Sequence, residues 1–303
     1  MRRANRAGRR FMMLGTAVIT LLMTIACSSG KTEETTVSGD ASKLKQQLEQ
    51  SAEAAAKSKT WSIEMKLGQK LGEETMDMTT SGPVVREPLQ MKQSIESEYE
   101  GEKSKMETIL TSDGYYMHDL TSGDWTRMTA SVIPQVKETL SDYQVNPSEP
   151  IKQLEQSSDK LKSSTNSAGQ LQYDYSGDGT DAGAKAIIDD VLRGTFGGGT
   201  MTEEVADTIK VNSFTYQLVT DATSKLPMSV SMAMVLSIEF EKGEPVTLNQ
   251  TLDIKYSDWE GGQTVTVPEE AKKAEEVTPP TQDLIDELER LQDEMGQEAP
   301  ASS

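Results

Sequence analysis

Among 303 residues there is one cysteine, Cys27, and one histidine, His118; aromatic side chains make up only 5% of the chain, and the mean hydropathy is −0.54. A single cysteine cannot form an intramolecular disulfide, so stability has to come from burial. One imidazole without a positioned nucleophile or a set of metal ligands offers little chemistry, and His118, between Met117 and Asp119, reads as an ordinary strand residue. Asp174, Ser176, Asp178 and Gly179 start like a calcium loop, but its twelfth position falls on Lys185 where a bidentate glutamate is needed, so the segment reads as a hairpin turn. The carboxylates are scattered, and no spacing selects a pair for acid–base work. These absences leave no catalytic residue, metal site or cofactor to name, and the chain reads as a non-enzyme.

Also missing is an apolar run long enough to span a bilayer as a helix, which takes about 20 residues. The longest, Phe11 to Ala26, has 16. It follows Arg2, Arg3, Arg6, Arg9 and Arg10 without an acid among them, and it ends at Cys27, Ser28, Ser29 and Gly30. A basic start, an apolar middle and a small-residue end make a secretory signal over 1–26. Leu22, Met23, Thr24, Ile25, Ala26 and Cys27 resemble the lipobox of bacterial lipoproteins, although Thr24 stands where leucine is usual. That resemblance implies diacylglycerol, with palmitate as a typical chain, on Cys27 and a location on the outer face of the cell membrane. Two acyl chains suffice for stable anchoring. Residues 27–39 then form a lipidated N-terminus and polar tether with a reach of about 20 Å.

Loss of residues 1–26 leaves 25 basic against 49 acidic side chains, a net charge near −24. Such a surface repels nucleic acid phosphates and anionic headgroups, which excludes nucleic-acid binding and holds the body off the membrane.

Periodicity supplies the architecture. Leu44, Leu48, Ala52 and Ala55 are spaced for a helix from about Asp40 to Lys59, and a second helix is expected from Asp181 to Leu192. Between and after them apolar residues recur by twos. Met65 and Leu67 belong to one strand; Met76 and Met78 to the next; Met91 follows Pro88, and Met106 and Met117 flank the Asp113–Gly114 hairpin signal. Residues 129–162 read as helical and loop-like, with Ser148 capping a short helix. The clearest pattern runs from Met228 through Met232 and Met234 to Phe240, seven alternate apolar positions whose opposite face is mostly serine and glutamate. Lys242 to Glu244 turn it back into a second long strand. About nine strands with two or three helices form one domain over 40–271, an α+β fold built on a large curved antiparallel sheet, open as a half-barrel, with helices packed on the concave face. Beyond it, 272–303 is an acidic tail in which Leu284, Leu288, Leu291 and Met295 mark a short amphipathic helix over 281–295, available to dock on the sheet or on a protein partner.

The order helix, strands, helical middle, strands resembles the LolA and LppX type of lipoprotein. More closely, it is similar to an uncharacterised lipoprotein family of Gram-positive bacteria, through Tyr116, Met117 and Trp125, through Leu226 to Met228, and through Val265 to Ala271. The resemblance implies a concave face holding lipid or another apolar small molecule. Methionine's adaptable shape suits such a surface. The residues expected on that face are Met65, Leu67, Met76, Met78 and Met91, together with Met106, Met117, Met228, Met232 and Met234, although methionines at strand spacing equally serve to fill a core. A non-enzymatic accessory lipoprotein acting through protein partners is the alternative.

Overall fold

The computed structural model describes residues 41–196 and 201–277. The expected signal segment, Cys27 and its tether, the triple glycine at 197–199 and the helix over 281–295 lie outside the described residues.

The chain opens with α1 (Ala41–Lys57), whose Leu44, Leu48, Ala52 and Ala55 are buried as one stripe. The Arg86 guanidinium donates to the Ala55 carbonyl of the last turn at 2.9 Å, alongside the Ser58 amide at 3.2 Å. A meander follows: β1 (Thr60–Leu71), β2 (Glu74–Val85), β3 (Gln90–Tyr99), β4 (Glu102–Thr111), β5 (Gly114–Asp119) and β6 (Trp125–Thr129). Between β3 and β4 the turn needs positive φ at both central residues, and Glu100 (49°) and Gly101 (88°) provide it. The middle region holds α2 (Ile133–Glu138), α3 (Asp142–Val145), α4 (Ser148–Glu155), β7 (Leu161–Thr165) and β8 (Leu171–Tyr175). Then come α5 (Ala182–Phe196), α6 (Glu203–Ala206), β9 (Lys210–Thr220), β10 (Pro227–Glu241) and β11 (Glu244–Ser257), and the described chain ends in α7 (Glu269–Lys272) and β12 (Glu275–Glu276).

All twelve strands form one open sheet in the order β12-β6-β5-β4-β3-β2-β1-β11-β10-β9-β8-β7. This half-barrel is α+β with helices on one face. It differs from expectation in several ways. There are twelve strands, because β6, β7 and β12 have no clear two-residue alternation in sequence. One pair, β12 with β6, is parallel, which makes the sheet mixed. Ser148 is the first residue of α4 and donates to Asn146 at 2.8 Å, so it is not the helix cap. The segment from Ser176 to Thr180 leads from β8 into α5 and closes no hairpin.

Register fixes which side chains share the helix-covered face. Met65 pairs with Thr80 on one side and Ile254 on the other, and Ile254 with Val230. Leu67 lies between Met78 and Leu252, and Leu252 pairs with Met232. Trp61, Ile187, Leu192, Leu218 and Leu236 are fully buried in the same cluster, each contributing about 1.5–3 kcal/mol of burial free energy. The other face is mostly wet. Its exception is the patch of Ile109 and Tyr116, where Val265, Val267 and Ala271 of the returning C-terminal segment cover the sheet.

Candidate ligand-binding site

The helix-covered face is dry at one end and hollow at the other. Beneath α5 the sheet is solid: Met232 and Met234 are 3% and 2% exposed and belong to the continuous buried cluster. Across β2 to β5 the cover thins to α2 and the residues that link it to α3. There a cavity of about 350 Å³ opens, within the roughly 300–1,000 Å³ range of small-molecule sites. Its floor is Met65, Leu67, Met76, Met78 and Met91, with Ile95 and Leu110 beside them. Val136, Thr139 and Leu140 form the roof, and Gly194 and Thr195 at the end of α5 close the side. Thr139 and Gly194 are exposed and mark the mouth. A smaller void of about 30 Å³ adjoins it, sharing Met65, Leu67 and Met78 and reaching Val191 and Leu252.

No charged side chain, among the described residues, lines the cavity. Its polar groups are nearly all satisfied within the protein. The Gln144 carbonyl accepts from the Ser141 amide at 3.2 Å, completing a capping box at α3. Thr195 donates to the Val191 carbonyl at 2.8 Å and accepts from Gln250 at 2.9 Å. Burial pushes the Tyr115 phenol up, opposed by a hydrogen bond with Thr108. The exception is Gln93, 5% exposed on β3, whose Nε2 has no partner.

Of the ten residues expected on an apolar binding face, the structure brings five together around this cavity: Met65, Leu67, Met76, Met78 and Met91. Met106 and Met117 lie on the same face, paired with Ile95 and Thr108 respectively, but outside the lining. Met232 and Met234 sit in the solid core. Met228 falls at an irregularity between β10 and β9 and faces no cavity wall. Thr80, Gln93, Thr108 and the α2 residues were not singled out in the sequence. Gln93 had a usable signal: it sits between Met91 and Ile95 on the buried side of an alternating strand.

The remaining candidates behave as structural groups. His118 stacks on Trp125 with centroids 4.3 Å apart. Asp174 accepts from Gln217 at 2.7 Å and from Gln172 at 2.9 Å. Among the described residues no three acidic, histidine or cysteine side chains are grouped to hold a metal, and no helix is long and apolar enough to cross a membrane. A second concavity, of about 340 Å³ on the wet face, is lined by Lys66, Glu96, Glu98, Lys103 and Lys105. Lys103–Glu98 at 3.4 Å and Lys105–Glu96 at 2.8 Å neutralise one another there, each exposed pair being worth about 1 kcal/mol or less.

A family of unknown function (DUF6612) matches residues 43–276. Among solved structures, the chain is similar to the lipoprotein LppX of Mycobacterium tuberculosis, at 10% identity and a TM-score of 0.39, over 76% of this chain and 100% of that one. It is similar to LprF from Mycobacterium bovis at 13% identity and a TM-score of 0.39, over 76% and 98% of the two chains. A LolA superfamily protein from Nitrosomonas europaea matches at 5% identity and a TM-score of 0.22, over 74% and 94%. Among curated proteins no sequence matches at a significant level.

Proposed function

The chain belongs to the DUF6612 family, and we propose that this member is an extracytoplasmic lipoprotein, anchored through diacylglycerol on Cys27, that holds a lipid or another apolar molecule under its helices. The observation that carries this reading is the uncharged cavity of about 350 Å³ floored by Met65, Leu67, Met76, Met78 and Met91. Methionine side chains are unbranched and polarizable, so a wall of them follows the outline of an apolar guest. The basic start, apolar run and lipobox-like ending at Cys27 support the address and the anchor.

Native mass spectrometry of the full chain carrying Cys27→Ser, recovered from bacteria, tests the binding. A co-purifying apolar mass, released by solvent extraction, is the expected result. A homogeneous empty protein that also takes up no added alkyl probe would reject the carrier reading. Incorporation of radiolabelled palmitate into the unaltered chain, lost in Cys27→Ser, is expected for the anchor, and failure to label would remove it.

A further inference from the structure

We infer that the cavity selects an uncharged single-chain molecule whose head carries an oxygen acceptor, such as an acyl ester or a long-chain alcohol, and that Gln93 is the residue that reads that oxygen. This rests on the apolar-ligand reading above. The argument begins with an unmatched donor. Gln93 is 5% exposed and its Nε2 lacks a partner, and it is the one such atom, among the described residues, in the wall of this cavity. A buried amide hydrogen left without an acceptor is costly, and native proteins rarely retain one without a use. Among the described residues none of its neighbours takes it up. Thr108, opposite on β4, is engaged with Tyr115, and Gln144 is engaged with the Ser141 amide.

The second part of the argument is charge. The lining has neither lysine nor arginine to pair with a carboxylate or phosphate, and an anion drawn into it would lose its hydration without gaining a counter-ion. The strongly acidic surface adds to that penalty. A cationic head would meet no carboxylate in the wall. An ester carbonyl or a hydroxyl oxygen is neutral, accepts one hydrogen bond from Gln93, and leaves the alkyl chain on Met65, Met76 and Met78. The volume also limits size, since about 350 Å³ is near the lower end of the range for such sites, which fits one chain better than a multi-chain lipid.

Displacement of the fluorescent probe N-phenyl-1-naphthylamine from the full Cys27→Ser chain tests this with a matched series: dodecane, lauryl alcohol, methyl laurate and, at a pH where it is ionised, laurate. The alcohol and ester are expected to bind about fivefold more tightly than dodecane, the effect of one net hydrogen bond, with laurate weakest. Gln93→Met, of similar size, should abolish the preference for ester over alkane, with the ester weakened and dodecane bound at least as tightly as by the unaltered chain. Dodecane and ester binding equally to the unaltered chain, or laurate binding best, would overturn the inference and leave the carrier reading intact. Gln93→Met weakening every ligand alike would show that Gln93 only shapes the wall, and would also overturn it. Should no member of the series bind, the carrier reading itself fails. The comparison of ligands on the unaltered chain does not depend on how well the variant folds.

Discussion

Asp190 is the carboxylate on which the fold's pH dependence should turn. It lies on α5 with its Oδ2 buried and unpartnered, beside Asp142 at the start of α3 and near the buried phenols of Tyr143, Tyr216 and Tyr256. Tyr143 and Tyr216 are joined at 3.3 Å, and Tyr256 donates to the Tyr143 carbonyl at 2.8 Å, so the cluster ties α3 to the sheet. Burial above all, then the Asp142 charge, pushes Asp190 up to about 6 from 3.8; a hydrogen bond from the Asp142 backbone and the charge of Arg193 oppose the shift. At about 1.4 kcal/mol per pH unit this is a penalty of about 3 kcal/mol, which partial solvent access of the carboxylate lowers toward about 2. An acid whose folded-state value lies above its unfolded one holds its proton more tightly when folded, so the penalty is absent below about pH 4, grows toward pH 6 and is complete above it. Asp190→Asn removes it. Urea denaturation of both proteins across this range should find the Asp190→Asn variant about 2 kcal/mol more stable than the unaltered chain at about pH 8 and no more stable at about pH 4. Comparing the two proteins at each pH cancels the general repulsion of so acidic a chain. A gap that does not change with pH, or a variant that is the weaker protein at the alkaline end, would refute the reasoning.

Two further outcomes test the packing. A Cβ on Gly183 of α5 would run into the Ser157 hydroxyl and the Gln153 backbone carbonyl, contacts that no side-chain shift relieves fully; Gly183→Ala should cost about 1–3 kcal/mol in chemical denaturation despite the better helix propensity of alanine. The methionines should divide by place: Met234→Ala, in the solid core at 2% exposure, is expected to lose about 2–5 kcal/mol. Met78→Ala, half-buried on the cavity floor, should lose well under half of that while changing probe affinity, and equal stability losses at the two positions would count against the cavity.

Much of the fold was legible because long elements repeat one rule many times. The stripe of Leu44, Leu48, Ala52 and Ala55 and the seven alternate apolar positions from Met228 to Phe240 declare a helix and a half-covered strand without help from the rest of the chain. Short strands lack that redundancy. β7 carries Leu161 as its only buried residue, and β12 is a two-residue pair held by its neighbours, including Arg127–Glu276 at 2.9 Å. The site was legible in part for a related reason. Alternation places Met65, Met76, Met78, Met91, Met106 and Met117 on one face, but whether a face is packed or hollow depends on what lies over it. The roof from Val136 to Leu140 and the side wall at Gly194 come from segments far along the chain, and their docking leaves no trace in the strands they cover.

The composition of the strands shows how unusual the half-covered wall is. Where this chain presents a sheet face to water it uses small and charged side chains: Ser231, Ala233 and Ser237 on β10, Glu64 and Lys66 on β1. Where it excludes water it uses Ile238, Leu236, Leu248 and Ile254 together with Met232 and Met234, all fully packed. The wall of Met76, Met78 and Ile95 obeys neither rule. It keeps apolar side chains half exposed, losing burial that a further turn of covering helix would have supplied, and it favours the residue whose side chain adapts most easily. Serine or threonine there would be more soluble, and leucine under a longer helix more stable. A surface that is wet in one state and covered by an apolar guest in another gains from both halves of that arrangement.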